Sequence, residues 1–192
     1  MKQFKYLLLS IILAGLSLAT IVVGYTTGCK PDKHKESANS VNVKMDDSFK
    51  VRPLTNIKYE RTAQRLKQGE YLVTSLLECF MCHSERNWKA SGAPPFTDKK
   101  GSGSILFEDS TSRLIAPNIT PDKETGAGTW TDDMFARAIR EGVGHDGRAL
   151  SYYMLYNNFK NLSDEDLAAV IVYIRSIPPI HNVVLPTILQ AA

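Results

Sequence analysis

The sequence predicts an all-α fold, and three segments with helical patterning support it. Residues 59–79 carry apolar side chains near the 3.6-residue period of an amphipathic helix. A second helix is expected to begin at Thr131, an N-cap residue followed by two aspartates that suit the positive end of a helix dipole. A third is expected to begin at Ser163, with apolar residues at i, i+3, i+4 and i+7, and to end before Pro178-Pro179.

The segments between these helices have the composition of loops. Residues 91–103 are rich in Gly, Ser, Pro and Lys, and residues 116–121 contain two prolines. A short extended piece is expected at residues 105–107. Gly69 lies inside the first predicted helix, where a glycine costs about 1 kcal/mol relative to alanine. We therefore expect another helix to approach closely at Gly69; the alternative is that the helix breaks there.

One motif in the chain carries recognisable chemistry, Cys79-Phe80-Met81-Cys82-His83. The pattern C-x-x-C-H is the attachment signature of c-type haem. On a helical turn, residues i, i+3 and i+4 lie on the same side. Cys79 and Cys82 can therefore form thioethers with the two vinyl groups of one porphyrin. His83 then lies under the ring, where its imidazole can bind the iron as the proximal ligand.

Three other interpretations of the motif compete with haem. A structural zinc site needs four Cys or His ligands, and the sequence has no second C-x-x-C or His pair. A thioredoxin-like dithiol would accompany a βαβ pattern, which the sequence does not show. The third interpretation is a coincidental buried pair of cysteines beside a histidine.

Composition and charge exclude several functional classes. The 192 residues are 43% hydrophobic and 22% charged, as in globular proteins, and the net charge is only +3. There is no basic stripe of the kind that nucleic-acid-binding proteins carry, so no nucleic-acid partner is expected. The chain has three cysteines. Two belong to the motif, which leaves Cys29 without a partner and implies no disulfide framework.

The N-terminal residues 1–28 read as a signal or membrane-anchor segment. Lys2 and Lys5 precede an uncharged apolar run over residues 6–25, close to the roughly 20 residues that span a bilayer. The following Thr26-Thr27-Gly28-Cys29 resembles a bacterial lipobox, although a leucine usually stands where Thr26 is. Either the run remains as a transmembrane helix or Cys29 is lipidated after cleavage; a soluble secreted form is the third possibility. In each case the positive-inside rule places the body outside the cytoplasm.

The predicted organisation continues with a polar tether at residues 29–57, a folded domain at residues 58–180 and a C-terminal tail at residues 181–192. The tether is short of aromatic residues and lacks helical spacing, so His34 within it is expected to be solvated. The pattern of the tail leads to no structural assignment.

A haem that transfers electrons needs a second axial ligand, usually Met or His. Four residues after the motif could supply it: Met134, His145, Met154 and His181. Met134 lies on a predicted helix, where methionine is usually a packing residue. Met154 lies in the tyrosine-rich loop 152–156, and a loop can fold the sulfur onto the open face of the ring. Met154 is therefore the favoured distal ligand, with His145 or an open site as alternatives.

Several motifs in a fixed order extend the pattern beyond C-x-x-C-H. They are Ala116-Pro117-Asn118-Ile119-Thr120-Pro121-Asp122, Gly128-Thr129-Trp130-Thr131-Asp132, Gly147-Arg148-Ala149-Leu150 and Ser163-Asp164-Glu165-Asp166-Leu167-Ala168. With these motifs, residues 59–179 resemble class I c-type cytochromes. The nearest subgroup is the cytochrome c domains that accept electrons from membrane-bound alcohol or gluconate dehydrogenases. The resemblance implies a small helical fold around covalent haem c with its iron. Many subunits of this subgroup carry several haems, whereas the single C-x-x-C-H motif here implies one. In that subgroup Pro-Tyr follows the axial Met, whereas Leu155-Tyr156 follows Met154 here.

The resulting expectation is a non-enzymatic, mono-haem electron carrier tethered to a bacterial cell membrane, with the haem domain on the periplasmic side. It would pass single electrons from a dehydrogenase to an oxidase or another cytochrome. Two alternatives remain open. One is a haem enzyme with an open sixth site that activates peroxide or binds a gas. The other is a fixed electron-transfer subunit of a dehydrogenase or oxidase complex.

Overall fold

The computed structural model describes residues 51–188. In chain order the elements are α1 (Ala63–Tyr71), a π-helical segment (Leu72–Leu76), α2 (Cys79–Cys82), a 3₁₀ turn (Thr97–Lys99), β1 (Ser104–Glu108), β2 (Arg113–Ala116), α3 (Asp132–Glu141), a 3₁₀ turn (Tyr152–Met154), α4 (Tyr156–Phe159) and α5 (Asp164–Ile174). The predicted anchor, Cys29, His34 and residues 189–192 lie outside the described residues. Between residues 51 and 188, no helix combines the length and apolar character that a membrane span requires.

The core forms where α1 crosses α5, and the crossing point is Gly69. Helix α1 continues through this residue without a break. A Cβ atom added to Gly69 would overlap the carbonyl oxygen of Ala169 and lie only 2.6 Å from the Cβ of Tyr173. Only glycine allows the two backbones to come this close. The predicted close approach of another helix at Gly69 is therefore confirmed.

The predicted starts of the second and third helices are confirmed by their caps. The Thr131 hydroxyl accepts a hydrogen bond from the Met134 amide at 3.2 Å, and α3 begins at the next residue. The Ser163 hydroxyl accepts one from the Asp166 amide at 3.0 Å, and α5 begins directly after it. These bonds satisfy backbone donors that have no partner within the helix.

The first helix is shorter than the expected 59–79. It begins at Ala63 and changes at Leu72 into a π-helical segment, where the Leu77 amide donates to the Leu72 carbonyl at 2.8 Å. Glu78 then adopts a left-handed conformation with φ +50°. This residue turns the chain, so that the C-x-x-C-H motif begins a separate helix rather than ending the first one.

A small antiparallel sheet adds to the predicted all-α architecture. Strand β1 pairs with β2 from Ser104 opposite Ala116 to Glu108 opposite Arg113. The expected extended piece at residues 105–107 lies in β1, whereas β2 was not expected. The three apolar residues of β2 are buried, and β1 is largely exposed. The fold is therefore helical with one two-stranded sheet among the described residues, and "all-α" is corrected to that extent.

The last residues of the predicted tether contact the domain. The Arg52 guanidinium donates to both carboxylate oxygens of Asp133, at 2.6 and 2.9 Å. The Thr55 amide donates to the same carboxylate at 2.6 Å. Asp133 is fully buried, and these donors hold the pKa of its carboxyl well below the usual range. Residues 51–57 are thus fastened to the start of α3.

Candidate functional site

The three residues of the C-x-x-C-H motif lie together on one turn. Cys79 and Cys82 are the first and last residues of α2, and the His83 amide closes the turn on the Cys79 carbonyl at 2.9 Å. No disulfide joins the two cysteines. All three side chains line one cavity of about 510 Å³. This volume lies within the range of about 300–1,000 Å³ that is common for small-molecule and cofactor sites.

The His83 ring is buried and oriented by one hydrogen bond. Its Nδ1 lies 2.8 Å from the Pro117 carbonyl oxygen, and only 6% of the residue is exposed. Because a carbonyl can only accept, Nδ1 carries the proton and Nε2 keeps its lone pair. Burial lowers the pKa of His83, which favours the neutral imidazole that binds metal ions.

The two cysteines lack the character of a redox dithiol. Burial raises the pKa of Cys79 to about 12 and also raises the pKa of Cys82. Reactive cysteines have the opposite shift, since they need a stabilised thiolate. Across residues 51–188, no cluster of three or more His, Cys, Asp or Glu side chains could hold a metal ion. The raised pKa values argue against the thiol-redox interpretation, and the described residues offer no zinc site.

The cavity wall is predominantly apolar and comes from several elements. It includes residues of β2 and its following loop, α3, the 3₁₀ turn before α4, and α5. Its apolar members are Leu77, Leu106, Leu114, Ile115, Ala116, Pro117, Ile119, Trp130, Phe135, Ala138, Ile139, Ala149, Leu150, Leu155, Phe159, Val170 and Ile174. Such a wall suits a porphyrin face and excludes water from it.

Met154 lies on the wall of the same cavity as His83. It ends the 3₁₀ turn, where its amide donates to the Ser151 carbonyl at 3.0 Å. Leu155, which occupies the position of the family's proline, has a left-handed conformation with φ +57°. This conformation is one that proline cannot adopt, so the loop reaches the cavity by a different backbone path. The axial role of Met154 stays a prediction.

The other three candidate ligands differ in position. His145 also lines the cavity, but its ring stacks on Trp130 with centroids 4.8 Å apart. Met134 is not on the wall; its sulfur accepts from the Thr131 amide at 3.5 Å. His181 is exposed and lies 3.6 Å from a Glu124 carboxylate oxygen. Of the four, only Met154 and His145 share the cavity with His83.

Sequence reasoning gave no structural role to the residues that fix the loop after β2, although they lie in the motif at residues 116–122 on which the resemblance rests. Asn118 and Thr120 are buried, and the Asn118 side-chain oxygen accepts from the Thr120 hydroxyl at 2.7 Å. Asn118 also donates to the Ile180 carbonyl at 2.8 Å, which ties the loop to the C-terminal segment. Asn118 and Thr120 belong to no periodic pattern that would mark them as buried. The two prolines around them indicated that the segment is not helical, and the motif indicated the resemblance, but neither showed which residues these side chains would bind.

Comparisons with known proteins find similar sequences in subunits of bacterial dehydrogenases. A nicotinate dehydrogenase subunit of Pseudomonas putida is 34% identical over 121 residues, which cover 63% of this chain and 9% of that protein. The gluconate 2-dehydrogenase cytochrome c subunit of Pantoea cypripedii is 35% identical over 108 residues, 56% of this chain and 22% of the relative. The cytochrome c subunit of the quinone alcohol dehydrogenase of Gluconobacter oxydans is 32% identical over 108 residues, which cover 56% of this chain and 20% of the relative.

The chain spans less than a quarter of the length of each of these three relatives. The family model described as cytochrome c matches residues 66–178. That match covers more than half of the chain and contains the C-x-x-C-H turn, Pro117 and Met154. Proteins of this family bind haem c covalently through such a turn. On this match and this cavity, the chain belongs to the cytochrome c family.

Proposed function

We propose that this protein is a single-electron carrier with one haem c. Cys79 and Cys82 would hold the group through thioethers, and His83 and Met154 would be its proximal and distal ligands. The observation that carries the proposal is that all four side chains line one apolar cavity. When bound, the group supplies an iron that alternates between the ferrous and ferric states.

The protein's own residues would hold the group and tune it. Pro117 fixes the orientation and tautomer of the His83 ring and makes Nε2 a better donor to a metal. A thioether from Met154 would favour ferrous iron and raise the reduction potential. The apolar wall would keep water from the ring, so that little reorganisation accompanies a change of charge. None of these roles requires a substrate pocket, which supports a non-catalytic carrier.

A dehydrogenase is the proposed electron donor, and an oxidase or another cytochrome is the proposed acceptor. The support is that the similar proteins are subunits of nicotinate, gluconate and quinone alcohol dehydrogenases. Because the sequence contains a single C-x-x-C-H motif, we propose one haem in this chain. Purification in mild detergent separates a fixed subunit from a free carrier, since only the fixed one stays with a dehydrogenase.

A membrane-tethered position outside the cytoplasm completes the proposal. Its support is the sequence: Lys2 and Lys5 precede the apolar run, and Cys29 follows it. The intact mass of the mature protein distinguishes the three possibilities. A full-length chain indicates a transmembrane anchor, and cleavage before Cys29 with added lipid indicates a lipoprotein. Cleavage without lipid indicates a secreted form.

The haem proposal is tested by acid denaturation and organic extraction of the protein matured in a host that attaches haem c. The pigment should stay with the polypeptide, and it should be absent from the Cys79→Ala/Cys82→Ala variant. Pigment that extracts freely would contradict covalent attachment. The ferric spectrum then tests Met154: a methionine–iron charge-transfer band supports the carrier, and a high-spin spectrum without it supports the haem-enzyme alternative.

A further inference from the structure

The candidate proximal ligand His83 is held from two sides. On the ring side, Nδ1 donates to the Pro117 carbonyl at 2.8 Å. On the backbone side, the His83 carbonyl accepts from the Gly103 amide at 2.9 Å. The two supports belong to separate loops, one before β1 and one after β2. The position of the imidazole therefore depends on what holds these two loops in place.

The segment at residues 180–188, called the C-terminal strap below, holds the loop that contains Pro117. The Asn118 side chain donates to the Ile180 carbonyl at 2.8 Å, and the Ile180 amide donates to the Thr120 hydroxyl at 3.1 Å. Asn118 and Thr120 are buried, so these bonds are shielded from competing water. Since Asn118 directly follows Pro117, the strap is fastened one residue from the carbonyl that orients His83.

The same strap holds the loop that contains Gly103. The Asn182 side chain donates to the carbonyl of buried Ser102 at 2.8 Å. Val184 packs against Gly103 so closely that a Cβ on that glycine would lie 2.7 Å from the Val184 Cγ1 atom. Gly103 has φ +89°, a conformation that favours glycine. One segment thus contacts both of the loops that support His83.

We propose that the C-terminal strap positions the His83 imidazole and thereby contributes to the reduction potential. Asn182 and Val184 are its positioning residues. This inference rests on the proposed function, because it takes His83 as an iron ligand. A firm hydrogen bond from Nδ1 makes the imidazole a stronger donor, which stabilises ferric iron. Loosening the two loops weakens that bond, so the reduction potential should rise.

If the strap only covered the cavity, disturbing it would change the reduction potential in the opposite direction. Thr187 lines the cavity, and its hydroxyl accepts from the Ile115 amide at 3.1 Å. If the strap acted only by shielding the cavity, disturbing it would admit water. Water stabilises the more highly charged ferric state, so the reduction potential would fall. The direction of the change therefore distinguishes a positioning role from a covering role.

The test uses the full chain with its haem attached, in the variants Asn182→Ala and Val184→Ala. Val183→Ala is the matched control, because Val183 is the neighbouring residue of the same type and is 74% exposed. The midpoint potential is measured by spectroelectrochemical titration. Exchange of the His83 Nδ1 proton with solvent is followed by NMR of the ferric protein. Both test variants should raise the midpoint potential and speed this exchange, while Val183→Ala behaves like the parent.

An unchanged or lowered potential in both test variants would overturn the inference. If neither variant matures, hydrogen exchange is measured on the parent protein at increasing denaturant concentrations. The His83 Nδ1 proton and the Asn182 backbone amide proton should then be exposed by the same local unfolding event, and their exchange rates should have the same denaturant dependence. Exchange by independent unfolding events would overturn the inference. Failure of the proposed function looks different, because the parent itself would then show no ligand signals from His83.

Discussion

The replacement Asp133→Asn tests how the chain enters the domain. Asp133 is fully buried and accepts two bonds from Arg52, one from the Thr55 amide and one from the Thr55 hydroxyl at 3.0 Å. An asparagine side chain has the shape of the aspartate, but it carries no charge. Its NH₂ group would also face the N–H and O–H donors of Arg52 and Thr55. Removing one partner of a fully buried ion pair costs roughly 3–5 kcal/mol. The Arg52 side chain is 36% exposed, so water can partly replace Asp133 and we expect about 2 kcal/mol.

The pH dependence of this effect has a definite sign. The pKa of Asp133 is depressed in the folded protein, while an unfolded aspartate titrates at about 3.9. The stabilisation is therefore fully present above that value and is lost as the pH falls through the folded-state pKa. The difference between the parent and Asp133→Asn should be largest at neutral pH and should shrink in acid.

Urea unfolding followed by circular dichroism measures both quantities, at neutral pH and in acid. Asp98→Asn is the control, because Asp98 is an exposed aspartate on the 3₁₀ turn Thr97–Lys99. The reasoning is refuted if Asp133→Asn loses no more free energy of unfolding than the control. It is also refuted if the difference between parent and variant persists unchanged in acid.

Three further substitutions test the remaining features. Gly69→Ala should lower the free energy of unfolding by about 1–2 kcal/mol, because overpacking against Ala169 costs more than the roughly 1 kcal/mol of helix propensity gained. Glu78→Gly should raise it by about 0.5–1 kcal/mol by relieving the left-handed conformation of an exposed residue. Met154→Ala should remove the methionine–iron band and lower the midpoint potential, as measured by spectroelectrochemistry.

Two of these predictions have a control variant, and the prediction for Glu78→Gly has an outcome that contradicts it. Glu70→Ala, on the exposed side of α1, should leave stability nearly unchanged, and a Gly69→Ala protein as stable as this variant would contradict the packing argument. A Glu78→Gly protein less stable than the parent would show that the glutamate side chain makes a contribution. Met134→Ala should keep the methionine–iron band, since Met134 does not line the cavity. Loss of the band in that variant would indicate that Met134, and not Met154, is the iron ligand.

Local patterns allowed the starts of α3 and α5 and the haem motif to be predicted from the sequence. The caps at Thr131 and Ser163 involve residues three positions apart, and the C-x-x-C-H turn spans five residues, so each pattern is contiguous in the chain. Gly69 was informative for a related reason. A glycine within a helical pattern lowers the stability of the helix, and the close approach of a second helix explains why it is there.

The remaining features depend on pairs of residues far apart in sequence. The bond from Asn118 to Ile180 joins residues 62 positions apart, and the bond from Asn182 to Ser102 spans 80. No periodicity connects such residues, so the strap and the loop that it holds were not predicted. Strand β2 was missed because its partner, β1, gave only a short apolar signal and a four-residue strand has little pattern of its own.

The attachment of Arg52 and Thr55 to α3 has a mechanical consequence. A force applied at Arg52 acts first on its bonds to the buried carboxylate of Asp133. The next bond along the chain is the hydrogen bond from the Tyr59 amide to the Asp132 carboxylate, at 2.7 Å. Because both acceptors lie in the first turn of α3, a force applied at Arg52 reaches the N-terminal end of α3 before it reaches α1. The turn that carries Cys79 and Cys82 follows α1 and the π-helical segment, so such a force reaches it later.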